Sequence, residues 1–221
     1  MKSAAKRAPN PRKGRPTPKL RAVQSYHHGD LHDALLKAAE ALLEREGMQG
    51  LTLRAAAREA GVSHAAPTHH FRDMTGLLSE LAAVGFRRFA KALREAVSAA
   101  PTPRDRLNAM GMAYVAFARA HPAMFMLMFR SERLDTSRPA LKEAMQESNA
   151  AFAGGFGARR ESPGTGQPPA ALVADMVRAW SIVHGFAVLL LDHRLEHLVS
   201  LWPDHDPIAL LGAVLFVKPA G

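Results

Sequence analysis

The sequence predicts an all-α protein: a small N-terminal three-helix unit, then a larger helical domain. Apolar residues recur at helical spacing along most of the chain, and no stretch alternates as a strand should. Capping residues stand ahead of these runs, with glycine or proline behind them. With 221 residues, 48% hydrophobic and 22% charged, the chain has the composition of a soluble globular protein and is long enough to bury a core.

Residues 1–28 read as a basic disordered arm. Eight cations (Lys2, Lys6, Arg7, Arg12, Lys13, Arg15, Lys19, Arg21) occur there without one acid, so this segment carries most of the net charge of +9. Four prolines, at 9, 11, 16 and 18, exclude a helix, and too few apolar residues remain to fold alone. A polycation of this kind suits phosphate binding through counterion release, or serves only to solubilise. "PRKGRP", Pro11 to Pro16, is similar to the core of an AT-hook, in which Arg12 and Arg15 would lie along a minor groove.

The first helix is expected from Asp30 as N-cap, with Leu31, Leu35, Ala38 and Leu42 on one face, and Gly47 closing it. Thr52 caps a second, short helix in which Leu53, Ala56, Ala57 and Ala60 face inward and Arg54 and Arg58 outward, until Gly61 breaks it. Ser63 is expected to cap a third. Thr75 is expected to cap a longer fourth, carrying Leu77, Leu78, Leu81, Val84, Phe89, Leu93 and Val97 and stopping before Pro101. These elements divide the chain into a unit over 29–75 and a helical domain over 76–221.

Further helices are predicted over 104–120, 123–130 and 139 to about 156, followed by a loop, "SPGTGQPP", at 162–169. A long helix then places Val173, Met176, Val177, Trp180, Val183, His184, Ala187 and Leu191 on one broad apolar face. The last helix, over 208–217, has Asp206 as cap and Pro207 in its first position, and is nearly all apolar. Such a helix needs cover on both sides, and a second copy of the chain supplies it, which predicts a homodimer joined by the last two helices.

Two short helices about a glycine turn form a helix-turn-helix, whose second member lies in the major groove of double-stranded DNA. Ala57 is small where the helices cross, Gly61 makes the turn, and Val62 and Phe71 anchor the second helix. His64, Ala65, Thr68 and His69 are left facing outward, with Ala65 small enough to approach a thymine methyl.

"DLHDALLKAAEALLEREGMQGLTLRAAAREAGVSHAAPTHHF" closely resembles the N-terminal domain of bacterial TetR-family repressors, in helix order, in the Leu51-Thr52-Leu53-Arg54 start and in the Gly61-Val62-Ser63 turn closed by Phe71. The resemblance implies a dimer built from the last two long helices and a C-terminal domain whose ligand lowers affinity for the operator. It implies DNA contacts from Thr52, Arg54, Ser63, His64, Ala65, Thr68, His69 and His70, beside Arg12 and Arg15 of the arm. Two positions depart from the family pattern: Thr68 stands where members carry a phosphate-binding Tyr, and Met74 where they carry a Lys. Pro67 takes the apolar slot of the recognition helix, at an edge where a lost backbone bond is tolerable. The basic arm is read as compensating for the two lost contacts.

"AWSIVHGFAVLLLD" also resembles a C-terminal subtype marked by Trp, His and Gly, here Trp180, His184 and Gly185. The candidate residues for an apolar or amphipathic effector are Met110, Tyr114, Phe117, Phe125 and Met128, together with Trp180 and His184. Packing between helices competes with that role for most of them.

No cysteine is present, so thiolate metal sites and cysteine nucleophiles are excluded. His193 and His197, spaced i, i+4, with Asp204 nearby, allow a rival reading as a small helical metal-dependent enzyme; the ordinary reading is solvated or capping histidines. His64, His69 and His70 do not share one helix face and do not suit a metal triad. A third reading is an architectural DNA-binding protein dominated by the arm. Unbroken apolar runs such as Phe186 to Leu191 are too short to span a bilayer, and no secretory signal is recognised. The expectation is a cytoplasmic, ligand-responsive DNA-binding repressor without cofactor, resident metal or catalytic residue.

Overall fold

The computed structural model describes residues 28–129, 131–157 and 169–215, and among them ten α-helices and no strand. The basic arm, with Arg12 and Arg15, and the proline-rich stretch 162–168 lie outside the described residues.

Helix α1 (His28–Gly50) begins two residues before the expected cap Asp30 and kinks at Gly47, whose φ of 69° lies in the left-handed region that glycine tolerates. Its buried side, Leu35, Ala39, Leu42 and Leu43, carries the N-terminal unit. Thr52 caps α2 (Leu53–Glu59) by accepting the Ala55 N–H at 3.1 Å. At Gly61 (φ 68°) the chain reverses, with the Val62 N–H bonded to the Ala57 carbonyl at 3.0 Å.

Helix α3 (Ala66–Phe71) starts later than the sequence suggests, and Ser63 does not cap it. Residues 64 and 65 form a turn instead, in which the Ser63 carbonyl accepts the Ala66 N–H at 3.1 Å, and Pro67 supplies the pre-set φ that begins the helix. Likewise α4 (Met74–Ala99) is capped by Asp73, whose carboxylate accepts the Gly76 N–H at 2.8 Å, and not by Thr75, which sits inside the first turn. At α4 two capping residues, Asp73 and Thr75, stand two positions apart and the first is used, whereas α3 begins from the turn at Ala65 with no side-chain cap.

Prolines open the next three helices, α5 (Pro103–Ala120), α6 (Pro122–Met128) and α7 (Pro139–Gly154). Helix α7 packs along α4, and α5 fills the groove between α4 and α8 (Ala170–Leu191). A short α9 (Glu196–Leu201), absent from the sequence reading, precedes α10 (Pro207–Leu215). Asp206 caps α10, accepting the Ile208 N–H at 2.9 Å. The predicted end of that helix at Val217 lies outside the described residues.

One buried cluster runs without interruption from Leu35 on α1, through Leu81, Phe89 and Leu93 on α4, to Val183 on α8 and Leu211 on α10. Helix α4 thus belongs to the cores of both parts of the chain. By length and composition alone α8 could cross a membrane, a property that counting unbroken apolar runs missed because Asp175 and Arg178 interrupt it. Its buried residues, Val183, Phe186 and Ala187, pack into the helical core.

Candidate DNA interface and ligand cavity

A six-residue helix has too few internal hydrogen bonds to be stable by itself, so α3 depends on its neighbours. Phe71 at its end is fully buried, Ala66 and Pro67 are buried at its start, and Val62 packs from the turn. The junction with α4 is closer still: a Cβ added to Gly76 would lie 1.9 Å from the Phe71 carbonyl oxygen. Arg88 on α4 is paired with Glu40 on α1, and Arg45 on α1 with Glu59 on α2 at 3.0 Å. These surface pairs bridge α1 to its neighbours and contribute little energy.

The residues singled out as DNA contacts do not all share one placement. Ser63, His64, Ala65, Thr68 and His69 are exposed on the turn and outer face of α3, and Thr52 and Arg54 are exposed at the start of α2. His70 is half-buried and turned toward α1, its ring 5.9 Å from that of His32 and 6.2 Å from that of Phe71. Met74 is half-buried at the head of α4.

In the larger domain an apolar cavity of about 240 Å³ opens between four helices. Phe86 and Phe89 of α4, Tyr114 of α5, Ser148, Asn149 and Phe152 of α7, and Val173, Met176, Val177 and Trp180 of α8 line it, with Phe129 beyond α6. Of the candidate effector residues, Tyr114 and Trp180 line this cavity. Met110 instead lines a second space of about 450 Å³, rimmed by Arg104, Asp175 and Arg178. Phe117, Phe125 and Met128 are buried in the core and line neither.

His184 stands behind the cavity wall, among the rings of Phe125, Phe129 and Trp180. Burial lowers its pKa and keeps the imidazole neutral at neutral pH, while burial of the Tyr114 phenol raises its pKa. The Trp180 indole N–H donates to the Tyr114 hydroxyl at 3.1 Å, and that hydroxyl lies 2.9 Å from His184 Nδ1. The Tyr114 hydroxyl thus bridges the indole and the imidazole, with the tautomer of His184 setting which of the two groups donates in the second bond.

Several cavity residues escaped the sequence reading. Phe86 and Phe89 sit one turn apart on α4 and read as ordinary core, and Ser148 carries no signal in a generic helix. The face of α8 was legible, since positions 173, 176, 177 and 180 have the i, i+3, i+4, i+7 spacing.

The metal-dependent rival does not assemble. His193 lies in the turn after α8 with φ 58°, and His197 lies in α9, so their i, i+4 spacing is not carried on one helix. His193 pairs with Glu196 at 2.9 Å, and among the described residues no three His, Asp or Glu side chains come together as a metal site.

A short helix exposed on a rigid three-helix frame, continuous through α4 with a helical domain that holds a cavity, is the build of a helix-turn-helix regulator. Comparison with known proteins agrees. Residues 35–81 match the model of bacterial regulatory proteins of the tetR family, and residues 107–208 that of the tetracyclin repressor-like C-terminal domain, together more than half of the chain. A solved structure of a protein with unknown function from Rhodococcus sp. RHA1 is 35% identical with a TM-score of 0.67, over 87% of this chain and 96% of that one. The TetR family transcriptional regulator PfmR from Thermus thermophilus is 16% identical with a TM-score of 0.56, over 86% of this chain and 97% of its own. A TetR-family transcriptional regulator from Streptomyces coelicolor is 20% identical with a TM-score of 0.55, over 84% and 95%. Comparison with curated proteins gave no match. The chain belongs to the TetR family of DNA-binding transcriptional regulators.

Proposed function

We propose that the protein is a cytoplasmic repressor that binds a pseudo-palindromic operator as a homodimer and is released by a small-molecule effector. The observation that carries this reading is the outer surface of α3 and the turn before it, where His64 and Ala65 on the turn and Thr68 and His69 on the helix are exposed while Ala66, Pro67 and Phe71 are packed inside. One such helix enters each of two successive major grooves. Thr52, Arg54 and Ser63 approach phosphates beside it, and Arg12 and Arg15 of the arm replace the contacts that Thr68 and Met74 cannot make.

Support for the dimer comes from apolar surface that one chain leaves uncovered. Ile182 and Leu189 are exposed on α8, and in α10, apolar throughout, only Leu211 is buried. Support for release comes from α4, which lines the cavity with Phe86 and Phe89 and bears on α3 at Gly76, thirteen residues or about 20 Å away along the helix. An effector that displaces Phe86 and Phe89 moves the head of α4, and with it the spacing of the two recognition helices. Such a coupling between sites is worth about 1–3 kcal/mol. Tyr114 and Trp180 form the wall against which the effector seats, and His184 supports it from behind through the Tyr114 hydroxyl.

Sedimentation of the purified protein with a duplex carrying one selected inverted repeat tests the reading. Two chains per duplex are expected, with much weaker binding to a single half-site; one chain per duplex, bound as tightly to a half-site, would overturn it.

A further inference from the structure

We propose that the cavity takes an uncharged aromatic molecule bearing one hydroxyl or carbonyl group, which pairs with the hydroxyl of Ser148. This rests on the reading of the cavity as the effector site.

Among the described residues, no charged side chain lines the cavity. An ionised ligand would lose its hydration there and gain no counter-charge, which disfavours binding strongly. Rings enter instead from four helices: Phe86 and Phe89, Tyr114, Phe152 and Trp180. Their edges and faces suit a flat ring system in offset or edge-to-face contact. At about 240 Å³ the space exceeds the roughly 150 Å³ that accommodates benzene in an apolar cavity, so two fused rings match it.

Ser148 supplies the polar requirement. The residue is 5% exposed and lines the cavity, and its hydroxyl, which makes no side-chain hydrogen bond among the described residues, is open to the cavity and not sealed in the core. A serine inside a helix can satisfy itself on the carbonyl four residues back, as Ser79 does on Thr75 at 2.7 Å; Ser148 makes no such bond. The Tyr114 hydroxyl makes no similar demand, being engaged by Trp180 and His184. One hydroxyl open to an aromatic box, with the exposed Asn149 as the other unengaged polar side chain of the lining, points to a ligand with a small polar group on an aromatic body.

The test titrates the full-length protein by calorimetry with four molecules of one shape: naphthalene, 2-naphthol, 2-naphthoate and 2-naphthyltrimethylammonium. 2-Naphthol is expected to bind most tightly. Ser148→Ala is expected to weaken 2-naphthol by roughly three- to tenfold and leave naphthalene unchanged, while Ser148→Thr retains the preference; thermal melts of both variants establish that they fold. Equal or tighter binding of the carboxylate or the quaternary ammonium, 2-naphthol affinity unmoved in Ser148→Ala, or binding of none of the four overturns the proposal. The same titrations with operator present separate the two readings. 2-Naphthol bound in the expected pattern with unchanged operator affinity supports the ligand class and removes effector release; release driven by a charged analogue alone does the reverse.

Discussion

The backbone N–H of Asp135 donates to the Ser79 hydroxyl at 2.9 Å, and that hydroxyl donates in turn to the Thr75 carbonyl at 2.7 Å. Ser79 is fully buried on α4, one turn from Gly76, so the segment leading into α7 is tied to the end of α4 that bears on α3. Arg138 reinforces the tie from the start of α7, 3.6 Å from Glu80. Helices α4 and α7 therefore meet at the DNA-binding end and again at the cavity, where Phe86 and Phe89 face Ser148 and Phe152.

Ser79→Ala removes both bonds and leaves the Asp135 N–H without its acceptor. The expected cost is about 1–3 kcal/mol in urea unfolding. Effector titrations against operator should also show reduced coupling, with operator affinity in the absence of effector little changed. Coupling unaltered in this variant would remove the α4–α7 tie from the transmission path.

Two glycines on α4 separate backbone constraint from ordinary crowding. In Gly76→Ala the new methyl meets the Phe71 carbonyl, which is backbone and cannot yield without displacing α3. In Gly85→Ala it meets the sulfur atoms of Met124 and Met128 at 2.8 Å, the far ends of flexible side chains. Gly76→Ala should abolish operator binding and lower thermal stability, and Gly85→Ala should keep operator binding. Similar behaviour of the two would contradict the close α3–α4 junction.

Burial lowers the His184 pKa below its ordinary value of 6.5, so the unfolded chain binds the proton more readily than the folded one. The contribution to stability is then complete above about 6.5 and is lost as pH falls through the lower, folded-state pKa. His184→Gln keeps a hydrogen-bonding group for Tyr114 and does not titrate, so its melting temperature should fall less between pH 7 and pH 5 than that of the parent. Parallel pH profiles would show that His184 is not the group responsible.

The arm should be visible in salt dependence. Deleting residues 2–21 removes eight cations, and each phosphate contact contributes a slope of about 0.9 in log affinity against log salt. Operator binding should weaken and its salt slope flatten by several units. An unchanged slope would leave the arm a solubilising role.

The fold was legible wherever local chemistry and packing agree. Thr52, Gly61, Phe71 and Asp206 each mark in sequence what they do in space, because a cap, a left-handed turn or an end-of-helix anchor is a local requirement. Ser63 and Thr75 misled because another competent turn or cap, the Ser63 carbonyl and Asp73, lies within reach, and only the docking of α3 on α4 decides between them. Short α9 has too few residues for a periodic signal. In the cavity, Trp180 and Tyr114 stood out, but Phe86, Phe89, Phe152 and Ser148 did not, since a ring facing a void and a ring facing a neighbour have the same helical spacing. The line between core and cavity is set by how α4, α5, α7 and α8 meet, which no single helix records.

The most direct measurement is selection of binding sites from random duplex DNA by the purified protein. A recognition helix presented twice, in a symmetric pair, enriches one inverted repeat whose half-sites are centred about one helical turn or a multiple of it apart, and His69→Ala should relax the base preference within each half-site while keeping the spacing. Enrichment for base composition alone, with no repeat, would contradict the assignment of α3 as the element that reads DNA.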